Sequence, residues 1–220
     1  MIVGQPFFRW TWVFDHLGDI RQRIVEHLVL TGIAVGVGLV ISMVLSIIAL
    51  RYRRTYTPIT GVAGVLYTIP SLALFALLVP VTGLSTLTAE VGLVSYTLLI
   101  LIRNIVAGID GVPEPVREAA RGMGYTRRRL FIEIELPLAL PIIVAGIRIA
   151  AVTTVGLVTV TALIGQGGLG FFILRGLNSF FTTQILVGTV LSVVLAVAID
   201  LTLVLTERRL TPWARRRAPA

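Results

Sequence analysis

Residues able to carry chemistry are few in this chain, and their spacing argues against most reactions. Gly165-Gln166-Gly167-Gly168-Leu169-Gly170 satisfies G-x-G-x-x-G, the pattern that lays a pyrophosphate against a helix N-terminus. That pattern works only after a strand, inside a βαβ unit, with an acid about twenty residues further on. Here it follows an apolar run rich in valine and threonine, and the nearest acid downstream is Asp200. The expectation is instead a flexible, outward-facing turn. His16 and His27 are not spaced to put a metal-ligating pair on one helical face, even with Asp15, Asp19 and Glu26 nearby. The chain has no cysteine, so disulfides and thiolate metal sites are excluded. It also has no lysine, so the usual Gly-x4-Gly-Lys-Ser/Thr phosphate loop cannot form. Neither catalytic residues nor a metal site are expected, and any ATP chemistry belongs to another subunit.

The informative pattern is Glu118-Ala119-Ala120, then Gly124, then Ile134-x-Leu136-Pro137, on a charged island between two apolar segments. Pro113 and Pro115 suit a helix start, with Glu114 and Glu118 near the positive end of its dipole. Ala119 and Ala120 are small, strong helix formers, so this face can lie close to a partner backbone. Gly124 interrupts the run, and Tyr125-Thr126 opens a second short helix carrying Arg127, Arg128, Arg129 and Leu130. The spacing predicts a helix-turn-helix at the membrane surface. Such an exposed, compact element between spans offers a soluble partner something to hold.

The elements around it are those of a membrane protein. Hydrophobic residues make up 56% of the 220 and charged residues 14%, against about a quarter charged in a soluble domain. Five apolar segments, at about 27–50, 59–80, 88–109, 136–164 and 185–206, each approach the roughly 20 residues that cross a bilayer. Ile69-Pro70 lies inside the second, where proline must kink or unwind the helix and free a carbonyl for a neighbour. Three ionisable residues are read as interior to these spans: Arg103, Arg148 and Asp200. Arg103 and Asp200 both lie about six residues from the end of their span, roughly 9 Å deep. Equal depth makes Arg103–Asp200 the expected ion pair and Arg148, about twice as deep, the less natural partner. A structural role is expected for all three rather than substrate binding.

Charge sets the expected orientation. The net charge of +8 comes from 19 arginines. Those at 51–54, 117–129, 208–209 and 215–217 fall on one side, leaving Arg9, Arg21, Arg23 and Arg175 on the other. This bias predicts an outside N-terminus and a cytoplasmic C-terminus, and it points to anionic lipid rather than nucleic acid as the polyanion met. The aromatic-rich stretch Phe7, Phe8, Trp10, Trp12 and Phe14 lacks the marks of a signal peptide and suggests an outer interfacial helix within 1–26. Residues 27–206 then form the transmembrane domain and 207–220 a basic tail.

Seven positions over the twenty residues 118–137 read E-A-A-x3-G-x9-I-x-L-P without a gap. The island thereby resembles the cytoplasmic EAA loop of permease subunits of binding-protein-dependent ABC importers. The resemblance implies an all-α fold of the type I importer class, with about five transmembrane helices and a coupling helix-turn-helix within 113–137. It assigns Glu118, Ala119, Ala120, Gly124, Ile134, Leu136 and Pro137 to coupling with an ATPase subunit, on which ATP and Mg2+ reside. It further implies a substrate-binding protein outside and a second permease copy, identical or similar, in the bacterial inner membrane. Ile69-Pro70-Ser71-Leu72-Ala73-Leu74, Arg103-Asn104 and the phrase from Ala162 to Gly170 narrow the resemblance to osmoprotectant permeases, with a methionine-permease-like fold. In that setting glycine betaine, choline or carnitine is the expected solute, and methionine or another small amino acid or amine the alternative. Pro70, Ser71, Gly165, Gly167 and Gly168 become candidates for the path or its gate. A secondary transporter or channel would be expected to show an inverted repeat or functional intramembrane charges, and no repeat is visible; a structural membrane scaffold would have no reason to display the full EAA spacing.

Overall fold

The computed structural model describes residues 7–213. Its elements are helices joined by short turns, and among the described residues there is no strand. A short helix, α1 (Trp10–Asp15), leads into α2 (Leu17–Arg51). Thirty-five residues make α2 about 50 Å long, well beyond the roughly 30 Å hydrocarbon layer, so it tilts or projects. It begins at Leu17, upstream of the apolar run, because Gln22, Arg23 and Glu26 bond to one another at helical spacing and sustain the polar turns.

The second apolar segment is not one straight span. It forms α3 (Tyr56–Thr68) and α4 (Ser71–Thr82), bent by 97° at Ile69-Pro70. Pro70 cannot donate to the helix ladder, and the Tyr96 hydroxyl donates to the Ile69 carbonyl at the break. The expected kink and its neighbour-satisfied carbonyl are both present.

The next element, α5 (Thr86–Asp110), is capped by Ser85, whose hydroxyl accepts the Thr88 amide at 3.3 Å. Then come α6 (Glu114–Gly122) and α7 (Arg127–Leu130). A π turn at Phe131–Glu135 leads into α8 (Leu136–Val160), and a 3-10 turn at Thr161–Ile164 ends that run. The wider winding just before Leu136-Pro137 suits a proline that has no N–H to offer. Two helices remain, α9 (Gly170–Asn178) and α10 (Thr182–Leu210).

Cross-links fix the directions. Arg53 bonds Asp110 at 2.6 Å, which brings the C-terminal ends of α2 and α5 to one level, the arginine-rich end. Thr86 donates to Gln166 at 3.0 Å, which brings the start of α5 to the end of α8 at the opposite, arginine-poor end. The Arg9 amide donates to Thr183 at 3.0 Å, which puts the start of α10 at that same arginine-poor end, so α2, α5 and α10 run one way and α8 the other. Helix α5 is central: 61% of its most apolar window is buried, against 28% for α2 and 11% for α10. Near the arginine-poor end it packs Ala89 and Leu93 against Leu30, Ala34, Phe75 and Val158. Near the other end Leu101, Ile105 and Ile109 meet Ala139 and Ile143 of α8.

Candidate functional site

The predicted helix-turn-helix forms at the arginine-rich end. Pro113 precedes α6, and Gly124 ends it in a left-handed conformation with φ 83°. The Tyr125 amide bonds the Ala120 carbonyl at 3.1 Å and the Gly124 amide the Arg121 carbonyl at 2.9 Å, the paired closure of a Schellman motif. Thr126 then caps α7 through its hydroxyl. A Cβ on Gly124 would meet nothing within 4 Å, so backbone strain and not crowding makes glycine necessary.

The motif residues divide by burial. Glu118 and Ala119 are exposed and available to a partner. Ala120 is 1% exposed, so it packs within the element rather than offering its own surface. Leu136 packs on the cluster of Leu101, Ile105 and Ile109. Ile134 and Pro137 line a cavity of about 250 Å3 with Val116 and Trp213. The motif therefore spans two surfaces, one outward on α6 and one joining the element to the spans.

Arg117 makes that joint, and sequence reasoning passed over it. Its guanidinium donates to the Ile109 carbonyl at the end of α5 (2.6 Å), to Glu135 before α8 (2.7 Å) and to Glu114 (3.3 Å). Burial alone would lower the Arg117 pKa, but the bonds to Glu135 and Glu114 outweigh it and hold the pKa above its ordinary value. Burial would likewise raise the Glu114 pKa. The hydrogen bonds from Arg117 and Arg121 reverse this and hold that carboxyl below the usual glutamate range. Arg51, Arg53, Arg121, Arg127 and Arg128 line an adjoining cavity of about 930 Å3.

The glycine-rich segment is ordered and closely packed, not the flexible turn expected. Gly165, Gly167 and Gly168 all have positive φ. Gly167 and Gly168 are buried, and a Cβ on Gly168 would lie 2.7 Å from the Cβ of His27. His27 is itself fully buried: Nδ1 accepts the Leu169 amide (3.4 Å) and Nε2–H donates to the Val155 carbonyl (3.0 Å). Gly168 thus serves close approach of the turn to α2, while Gly167 packs on Ala162 and Thr161 of the turn itself. Pro70 and Ser71 sit at the α3–α4 bend, at the level of Tyr96. Gln166 sits at the level of Thr86, ten residues of α5 away, or about 15 Å. The structure does not bring the two candidate gate groups together.

The expected Arg103–Asp200 pair does not form. Asp200 is held by Arg148, at 2.9 Å from Nε and 3.2 Å from Nη2, and Glu207 approaches the same guanidinium at 3.4 Å. Side chains lean toward the N-terminus of their helix. On antiparallel α8 and α10, Arg148 and Asp200 therefore lean toward each other. Arg103 leans the same way as Asp200, and its helix, α5, packs chiefly on α8, α2 and α3 rather than on α10. Arg103 is exposed and has no ion-pair partner among the described residues. Glu90, inside the third predicted span, belongs with these interior charges although its place near the span's start hid it. Neither carboxylate oxygen reaches solvent or a hydrogen-bond partner. Among the described residues no cluster of His, Cys, Asp and Glu is arranged to hold a metal.

Residues 23–212 match the family model described as "Binding-protein-dependent transport system inner membrane component". The chain belongs to this family. Curated relatives agree over almost their whole length. The osmoprotectant import permease protein OsmW of Salmonella typhimurium is 34% identical, the match covering 91% of this chain and 96% of the relative. The choline transport system permease protein OpuBB of Bacillus subtilis is 36% identical over 91% and 92%. The carnitine transport permease protein OpuCB of Listeria monocytogenes is 38% identical over 88% of each. Among solved structures, a chain of the MetNI methionine ABC transporter in inward-facing conformations superposes with a TM-score of 0.78 at 22% identity, covering 90% of this chain and 98% of that one. At that identity the likeness establishes the fold. The chain is thus an inner-membrane permease subunit of the type I ABC importer fold.

Proposed function

We propose that this permease forms half of the translocation path of an importer for an osmoprotectant such as glycine betaine, choline or carnitine. A binding protein feeds it from outside, a separate ATPase with ATP and Mg2+ drives it, and a second permease copy completes the path. Relatives whose names specify osmoprotectant, choline and carnitine transport support the substrate class. The arginine-rich end faces the cytoplasm, as the positive-inside rule requires, which puts the N-terminus outside. Residues 27–206 serve as the permease domain, with 113–137 as its coupling loop.

The observation that carries the mechanism is an exposed α6–Gly124–α7 surface tied by Arg117 to the ends of both α5 and α8. A push on α6 from closing ATPase subunits therefore reaches the central helix and its antiparallel neighbour directly, the link that alternating access needs. The test is Gly124→Leu together with Glu118→Lys. The first adds about 1–2 kcal/mol of left-handed strain at the turn. The second reverses the charge on an exposed helix face. Both variants are expected at near-normal membrane levels, with solute uptake and stimulation of ATP hydrolysis by loaded binding protein lost. Unimpaired uptake in both would refute the coupling assignment, and loss of insertion would show that the motif serves folding.

A further inference from the structure

Glu90 is the one carboxylate among the described residues with both oxygens shut off from solvent and left without a hydrogen bond. The ion pairs among the described residues engage other acids. Asp200 and Glu207 share Arg148, Asp110 holds Arg53, and Arg23 bonds Glu26 at 2.8 Å while stacking on Phe171. An uncompensated acid inside a membrane protein is costly and calls for a partner. None of the described residues supplies one.

Its location says what the partner is. Thr86, Glu90 and Thr97 are spaced i, i+4 and i+11 on α5, which stacks them on one face. Thr86 bonds Gln166 of the glycine-rich turn, and Thr97 fits against Gly38 of α2, where a Cβ would lie 1.9 Å from its hydroxyl. Glu90 therefore faces α2 one turn below the Thr86–Gln166 bond. Its sequence neighbour Ala89, and Leu93 one turn on, pack with Leu30, Ala34 and Phe75, so the surrounding layer is largely apolar, with the buried Thr31 of α2 as its other polar group. A carboxylate without a hydrogen bond, in a layer where the buried Thr31 hydroxyl is the polar group in register with it, suits a cation that has no N–H to share: a quaternary ammonium, whose charge lies inside a shell of methyl groups. An ordinary ammonium would need more acceptors than one carboxylate and the Thr31 hydroxyl supply.

We infer that Glu90 is the counter-charge for the quaternary ammonium group of the solute, reached when the path opens to the outside during alternating access. The inference rests on the proposed substrate class. It makes Glu90 a specificity-determining residue of the path, distinct from the selectivity of the binding protein.

The test uses the complete transporter in vesicles, with binding protein, ATPase and labelled choline. Glu90→Gln is expected to lower uptake by about tenfold or more, the scale on which removal of a desolvated charge partner registers. Stimulation of ATP hydrolysis by loaded binding protein should stay at the wild-type level, and Glu90→Asp, which keeps the charge, should recover most of the uptake. Wild-type uptake in Glu90→Gln overturns the inference. Parallel loss of uptake and ATPase stimulation also overturns it, by showing a structural or gating role. Where the amide variant fails to reach the membrane, Glu90→Met carries the same test without a buried polar group, and failure of both variants to insert assigns Glu90 to folding instead. Absence of choline uptake in the wild type strikes the substrate reading itself, whereas normal wild-type uptake matched by Glu90→Gln strikes this inference alone.

Discussion

Arg148, Asp200 and Glu207 form a three-membered charge cluster between α8 and α10, with the Arg148 and Asp200 side chains 30% and 35% exposed in the single chain. Each partner removes part of the other's desolvation penalty, so deleting one leaves the survivor uncompensated, whereas deleting both leaves only lost packing. Arg148→Leu and Asp200→Leu are each expected to lower the unfolding temperature, by less than in a fully buried pair because these groups are partly exposed. The double variant should recover part of that loss in a thermal-unfolding cycle, and strict additivity would remove the pair. Arg103→Gln, with no partner to orphan, should change stability little. Arg103, Arg148 and Asp200 were legible in the sequence as interior charges, but Glu90 and the pairing were not. Depth counted along the chain ignores the lean of each side chain, and that lean brings Arg148 to Asp200 from a deeper starting position.

The coupling element shows where local sequence suffices. Pro113, Gly124 and Thr126 each impose a start, a stop or a cap through their own backbone or side chain, so the α6–turn–α7 outline was readable residue by residue. Arg117 was not, because its partners Ile109 and Glu135 come from elements on either side and meet only in the fold. The glycine-rich segment misled for the same reason: Gly168 answers to His27, more than a hundred residues away. The Glu114 arm of the Arg117 network has a definite acid dependence. A carboxyl held below its ordinary value by Arg117 and Arg121 contributes order that is complete above the unfolded glutamate pKa, about 4.3, and is lost as pH falls through the lower folded value. Hydrogen-exchange protection of 114–122 should therefore be flat from neutral pH down to about 5 and fall only in more acid solution. In Glu114→Gln the protection should be lower throughout, and the Glu114 contribution to the acid step should vanish. An unchanged acid step in that variant would remove Glu114 from the network.

Over the whole molecule, one buried helix, α5, is surrounded by partners whose outer faces stay apolar and uncovered, most of all α10. That distribution inverts a soluble protein and suits lipid on one side and a second permease copy on another. Hydropathy made the four long helices legible. The 97° bend at Ile69-Pro70 turned the second segment into a broken pair, which the proline signals but a count of apolar residues does not. Orientation is the property that most needs a direct test, because both the coupling surface and the Glu90 layer take their meaning from it. The cysteine-free chain makes this simple. Asn178, exposed at the end of α9, and Met123, 69% exposed between α6 and α7, are better reporters than Ser85 or Thr126, whose hydroxyls cap α5 and α7. In sealed cells an impermeant thiol reagent should label Asn178→Cys and leave Met123→Cys untouched. Permeabilisation should expose Met123→Cys, and co-assembly with the ATPase should shield it again, because position 123 lies on the surface proposed to enter that subunit. Labelling of Met123→Cys from outside would reverse the orientation, and with it the assignment of the arginine-rich end to the ATPase and of Glu90 to the entry side of the path.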